Sequence, residues 1–137
     1  MSGVVYAQEQ SLSAGDYSAV IGSTYMRDKR PLGNPGRVQR ILAGSNLIVT
    51  ARDETGRIVG VARGISDEAW VCYLADLCVR DGAQGKGIGQ GLLDKCYDVL
   101  GPSIGLVLLA FPEAIPFYRR IGMGEMTGFF HDRIDSA

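Results

Sequence analysis

The stretch Tyr73–Leu93, YLADLCVRDGAQGKGIGQGLL, decides how the rest of the chain is read. A strand-like run ends at Val79, a bend follows at Arg80, Asp81 and Gly82, and a glycine-rich segment then leads into apolar residues at helical spacing. Strand, glycine-rich bend and helix together make an anion site. The first turn of a helix has unpaired backbone N–H groups, and its dipole places roughly half a positive charge there. The loop is therefore expected to hold a phosphate. A Walker loop needs a hydroxyl residue after its Gly-Lys to bind magnesium, and Lys86 is followed by Gly87. A dinucleotide fingerprint G-x-G-x-x-G fails as well, because Gly85 and Gly87 lead to Gln90, and Gly87 and Gly89 lead to Leu92. These departures disfavour a nucleotide-dependent kinase or ATPase.

The spelling Gln84, Gly87, Gly89 instead resembles the Q/R-x-x-G-x-G/A pyrophosphate loop of the GNAT superfamily of N-acyltransferases. The resemblance extends upstream to the strand ending Leu77 and Val79. Downstream it takes in the A-x-x-F-Y-x-x-x-G-[FM] pattern at Ala114, Phe117, Tyr118, Gly122 and Met123. It implies a GNAT-like α/β (α+β) fold over one domain, residues 1–137: a central, mostly antiparallel sheet with a splayed parallel strand pair and helices on both faces. It further implies acetyl-CoA, or another acyl-CoA, as co-substrate, and a primary amine, small or peptide-borne, as acceptor. Attack would be direct, in a ternary complex. A module of the same fold that binds acyl-CoA as a sensor or structural ligand is the alternative.

The resemblance also assigns residues. The diphosphate would be held by Gln84, Gly85, Lys86, Gly87, Ile88, Gly89 and Gln90, with Lys86 meeting either a phosphate or solvent. The backbone of Leu77, Cys78 and Val79 would hold the pantetheine arm and polarise the thioester carbonyl. Tyr118, at the family's tyrosine position, would protonate the departing thiolate; a packed helix aromatic is the plainer reading. Asp76 and Glu113 are the candidate bases. Asp76 has the structural alternative of bonding backbone or a neighbouring arginine, and Glu113 that of an acid favoured by a helix N-terminus. Where the family often carries an asparagine three residues before the alanine, this chain has Phe111, which removes one polar contact near the thiol.

Bulk properties agree with one ordinary globular domain. The chain has 137 residues, a net charge of −1, 46% hydrophobic and 21% charged residues. Near-neutral charge offers nucleic acid no electrostatic footprint. No basic n-region opens MSGVVYAQEQ and no apolar run approaches the roughly 18 to 20 residues of a membrane span, so a cytoplasmic protein without membrane attachment is expected. The resemblance allows a homodimer. Cys72, Cys78 and Cys96 form no even disulfide framework and no C-x-x-C pair. On one strand, Cys72 and Cys78 would lie about 20 Å apart, too far to bond. Buried reduced thiols are the expected state, with an acyl relay at Cys78 the sharper alternative. A single histidine, His131, excludes a multi-histidine metal site, and no metal is expected.

Outward from the loop, the pattern predicts a strand at Val4–Tyr6 and a helix carrying Tyr17, Val20, Ile21 and Tyr25 behind a capping region at Ser11–Asp16. A second helix runs from about Gly36 to Ala43. In the family these first helices cover the acceptor. The cluster Arg27, Lys29, Arg30, Arg37 and Arg40 there reads either as favouring an anionic acceptor or as a solvated face. Asn46–Arg52 and Arg57–Ile65 pair as a hairpin, and Trp70–Val79 adds an antiparallel strand. The helix Gly87–Leu100 and the apolar run Ile104–Phe111 complete a βαβ unit whose last strand is read as buried on both faces. A short helix through Arg120, a closing strand at Met123–Phe130 and a frayed tail at Asp132–Ala137 end the reading.

Overall fold

The structure is a computed structural model describing residues 3–133; the expected fraying of the last residues falls mostly outside them. The chain divides into two compact units, Met1–Val107 and Leu108–Ala137.

The first unit is a five-stranded sheet in the order β1-β2-β3-β4-β5: Val5–Gln8, Leu47–Arg52, Ile58–Ser66, Val71–Val79 and Gly105–Val107. All neighbours pair antiparallel except β4 and β5, which run parallel at the edge. Helices α1 (Ala14–Ile21), α2 (Pro35–Ala43) and α3 (Ile88–Leu100) belong to this unit, with a 3-10 turn at Tyr25–Asp28. Local chemistry explains where they begin. Ser13 Oγ accepts from the Asp16 amide, and Asn34 Oδ1 from the Arg37 amide with Pro35 in the first turn. The predicted hairpin β2–β3 is present, its turn tied by Asp53 Oδ1, which accepts from Thr55 and Arg57 amides.

Two faces of the sheet are covered. At Gly60 of β3, a side chain would strike Leu92 and Ile88 of α3. Arg63, three residues on, therefore points to the opposite face, and its partner Asp76 there meets Tyr17 of α1. This explains why β3 is buried on nearly every residue, while α3 sends Ile88, Leu92, Leu93 and Cys96 into the core.

One irregularity organises β4. Arg63 pairs with Asp76 but Gly64 pairs with Leu74, so Ala75 is an extra residue and the strand bulges there. A bulge reverses the alternation of side chains. Before it, Cys72 lies on the α3 face, where its Sγ is 2.8 Å from where a Gly64 Cβ would be. After it, Asp76 and Cys78 lie on the α1 face, with Cys78 Sγ 3.3 Å from Met26 Sδ.

The predicted last strand of the βαβ unit is shorter and wetter than expected. Only Gly105–Val107 pairs, and none of the three is buried. It is an edge strand, with β4 on one side and no strand on the other among the described residues. In the second unit a 3-10 turn at Pro112–Ala114 runs into α4, Ile115–Arg120. The predicted closing strand is absent: Met123–Phe130 carries no regular structure and pairs with no strand among the described residues.

Candidate active site

The glycine loop lies where the sequence places it, between the end of β4 and the first turn of α3. Gln84 folds back so that its Nε2 donates to the Val79 carbonyl at 3.1 Å, closing the bend onto the strand it leaves. Gly85 and Gly87 have φ of 78° and 79°, the left-handed region that side chains resist. Neither has any heavy atom within 4 Å of where a Cβ would stand, so the space in front of both is open. Gly87 is also the N-cap of α3, and no side chain caps the helix. Its first-turn amides are thus left for water or an anion.

Two of the predicted binding residues have their side chains committed within the protein. Ile88 is 2% exposed and its side chain packs into the core. Gln90 spends its side chain on Asp94, Nε2 to Oδ1 at 2.9 Å. Lys86 is exposed. On β4, Leu77 and Val79 are half-buried, whereas Cys78 is buried. Burial, and then the nearby Asp76 charge, push the Cys78 thiol up to about 12, which keeps it protonated and unreactive near neutrality. The parallel ladder with β5 ends at Tyr73↔Val107, while the ladder with β3 continues to Gly60↔Val79. From Leu74 to Val79 the β5 side of the strand has no ladder partner among the described residues.

Asp76 is 1% exposed and fully engaged. Its Oδ1 accepts from Arg30 Nε at 2.8 Å; its Oδ2 accepts from Arg63 Nε at 2.5 Å and the Tyr17 hydroxyl at 2.6 Å. Arg63 Nη1 also reaches Ser45 Oγ at 3.1 Å. Burial opposes the Arg63 charge, but Asp76 outweighs it and the guanidinium pKa is raised. Tyr17 is held neutral, its pKa raised by burial and then by the Asp76 charge. Tyr17 and Arg63 were not legible as site residues. The available signal was a lone arginine and a lone aspartate at the centres of two apolar strands, since buried charges survive only when paired.

Tyr118 and Glu113 belong to the second unit. Tyr118 is half-buried on α4, its ring edge-on to Phe117 with centroids 5.1 Å apart, and Glu113 is exposed in the turn before that helix. Among the described residues no group of three or more His, Cys, Asp or Glu side chains is placed to hold a metal. No helix among them is long and apolar enough to cross a membrane.

The model of the acetyltransferase (GNAT) domain matches residues 43–122, from the end of α2 through the loop and α3 to α4. The chain is 36% identical over 72 residues to a protein of Glycine max named histone acetyltransferase TAP1, covering 51% of this chain and 31% of that protein. It is 30% identical over 99 residues to an uncharacterized N-acetyltransferase, ycf52, of Porphyra purpurea, covering 69% of this chain and 55% of the other. This chain thus matches about a third of the soybean protein and about half of the algal one. A crystal structure from Xanthomonas campestris pv. campestris, assigned to the GNAT family, superposes with a TM-score of 0.73 at 25% identity, covering 100% of this chain and 99% of that one. With loop, sheet order and family model in agreement, the chain belongs to the GNAT family of acetyltransferases.

Proposed function

We propose that the protein transfers an acetyl group from acetyl-CoA to a primary amine by direct attack in a ternary complex. The observation that carries this is the uncapped start of α3 behind two left-handed glycines with open space before them, at the end of a strand whose parallel pairing has already stopped. That arrangement fits a diphosphate on the amides of residues 84–90 and an extended arm along the unpaired side of Leu74–Val79. The algal relative's name specifies N-acetyl transfer, which supports nitrogen as the acceptor atom.

In this reading the amine nitrogen bonds to the thioester carbonyl carbon and the carbon–sulfur bond breaks. A backbone N–H of Leu77–Val79 steadies the charge on the carbonyl oxygen. Tyr118 supplies the proton that the departing thiolate takes up. The amine's proton goes to a carboxylate or to water, and Glu113, in the turn before α4, is the candidate carboxylate carried over from the sequence. Asp76, already shared by two guanidinium groups and a phenol, is assigned to positioning.

The engagement of Asp76 favours one other reading, an acyl-CoA-binding module with no base on β4. Free-thiol release from acetyl-CoA against a panel of primary amines separates the two. Amine-dependent thiol release supports the transferase. Tight CoA binding without release from any amine supports the module.

A further inference from the structure

The segment after α1 is laid along β4 in reverse. Ser23 Oγ accepts from the Asp81 amide at 3.0 Å, Met26 Sδ meets Cys78 Sγ at 3.3 Å, and Arg30 reaches Asp76 and Ala75. Arg30 makes the last of these contacts with a fork. Its Nε donates to Asp76 Oδ1 at 2.8 Å and its Nη2 to the Ala75 carbonyl at 2.7 Å, while Nη1 donates to the Lys29 carbonyl at 2.7 Å. Ala75 is the bulge residue, without a β3 partner in the ladder, and the β5 ladder has ended two residues earlier. Its carbonyl is therefore satisfied by a side chain where a strand would otherwise serve, and a half-buried carbonyl left unmet is costly.

We infer that Arg30 is a positioning residue for acetyl transfer: by bracing the Ala75 bulge and Asp76 together, it fixes the β4 backbone that follows, Leu77–Val79. This rests on the reading above that those amides face the thioester. It assigns one member of the basic cluster 27–40 a role distinct from attracting an anionic acceptor. Arginine is required because two acceptors on different groups are met at once by one planar guanidinium, and an ammonium at the end of a flexible stem does not reproduce that fork. Small displacements of a reacting backbone are expensive: about 1 Å costs on the order of a hundredfold in rate.

The test compares the wild type with R30K, R30M and R30A. Thermal denaturation, steady-state kinetics with acetyl-CoA and an amine, and hydrogen exchange at the amides of residues 75–79 are measured. R30K keeps a positive charge beside Asp76 and folds. Its kcat per folded molecule is expected to fall about tenfold or more, with KM for acetyl-CoA changed by no more than about twofold. Exchange at residues 75–79 should quicken in R30K and R30M, and methylguanidine should restore part of the turnover of R30A. Wild-type kcat and wild-type exchange in R30K would overturn the inference, as would activity losses that track the unfolded fraction alone. If the wild type itself releases no thiol with any amine, the transferase reading fails. Exchange at 75–79 in R30K still decides then whether Arg30 braces the bulge.

Discussion

Arg63 and Asp76 face each other across β3 and β4 at the last pair before the ladder slips, Nε to Oδ2 at 2.5 Å, both nearly closed to solvent. Removing one side of such a pair leaves charge buried without compensation. Asp76→Asn leaves Arg30 and Arg63 without their common carboxylate, and we expect a loss of about 3–5 kcal/mol in unfolding free energy by urea denaturation. A loss under about 1 kcal/mol would show that solvent or relaxation supports the two arginines without it.

Alkaline stability follows from groups whose neutral forms the fold prefers. Cys78 and Cys96 are raised from 9.0 to about 12, in both cases chiefly by burial, and Tyr17 is raised above its ordinary 10.0 by burial and then by Asp76. A group with a raised folded pKa stabilises fully below its unfolded pKa, and that contribution is lost as pH rises toward the folded value. The urea midpoint should therefore be insensitive to these groups at neutral pH and fall steadily between pH 9.0 and about 12. Cys96→Ala should lower the midpoint at neutral pH by the lost packing yet make its decline above pH 9.0 shallower. An equally steep decline would contradict the assignment.

Gly91, one turn into α3, is dictated by Tyr6 of β1. A Cβ there would sit 2.3 Å from the phenol ring. Gly91→Ala is expected to cost about 1–3 kcal/mol through overpacking. In a Tyr6→Ala background the same change should gain up to about 1 kcal/mol from helix propensity. The double-mutant cycle by chemical denaturation measures the coupling, and additive effects would place the constraint elsewhere.

At Gly87 two demands are separable. Gly87→Ala strains a left-handed residue, about 1 kcal/mol or somewhat more, and also puts a methyl into the open space. Gly87→Asn tolerates the left-handed backbone far better but obstructs the same space. Both variants should therefore bind CoA at least about tenfold more weakly by calorimetry, which is about 1.4 kcal/mol. Asparagine should nevertheless retain more of the wild-type stability than alanine. Wild-type affinity in Gly87→Asn would show that glycine serves the bend alone.

The parts legible in the sequence are those whose causes are local. The hairpin β2–β3 and the glycine-bent entry to α3 are written in nearby residues, and the helix cap at Ser13 falls within the capping region Ser11–Asp16 that the pattern marks. The bulge is not legible, because VCYLADLCV is apolar at almost every position and has no glycine or proline to mark an extra residue. Only the ladder shows that Ala75 is extra and that Cys72 and Cys78 end on opposite faces. The partners of Asp76 are likewise 13, 46 and 59 residues away, beyond any spacing rule. The run Ile104–Phe111 misled for a related reason: continuous apolarity signals burial in general, and it cannot say that the strand will stand at an edge.

In the proposed reaction the uncapped amides at the start of α3 hold the diphosphate of acetyl-CoA. Titrating 15N-labelled protein with CoA and following backbone amide shifts tests it most directly. Saturable shifts are expected, largest at Gly85, Lys86, Gly87, Ile88 and Gly89, with smaller ones at Leu77–Val79. Saturation with the largest shifts elsewhere and these amides unmoved, or no binding at millimolar CoA, on the order of the weak limit for a specific ligand, would contradict it.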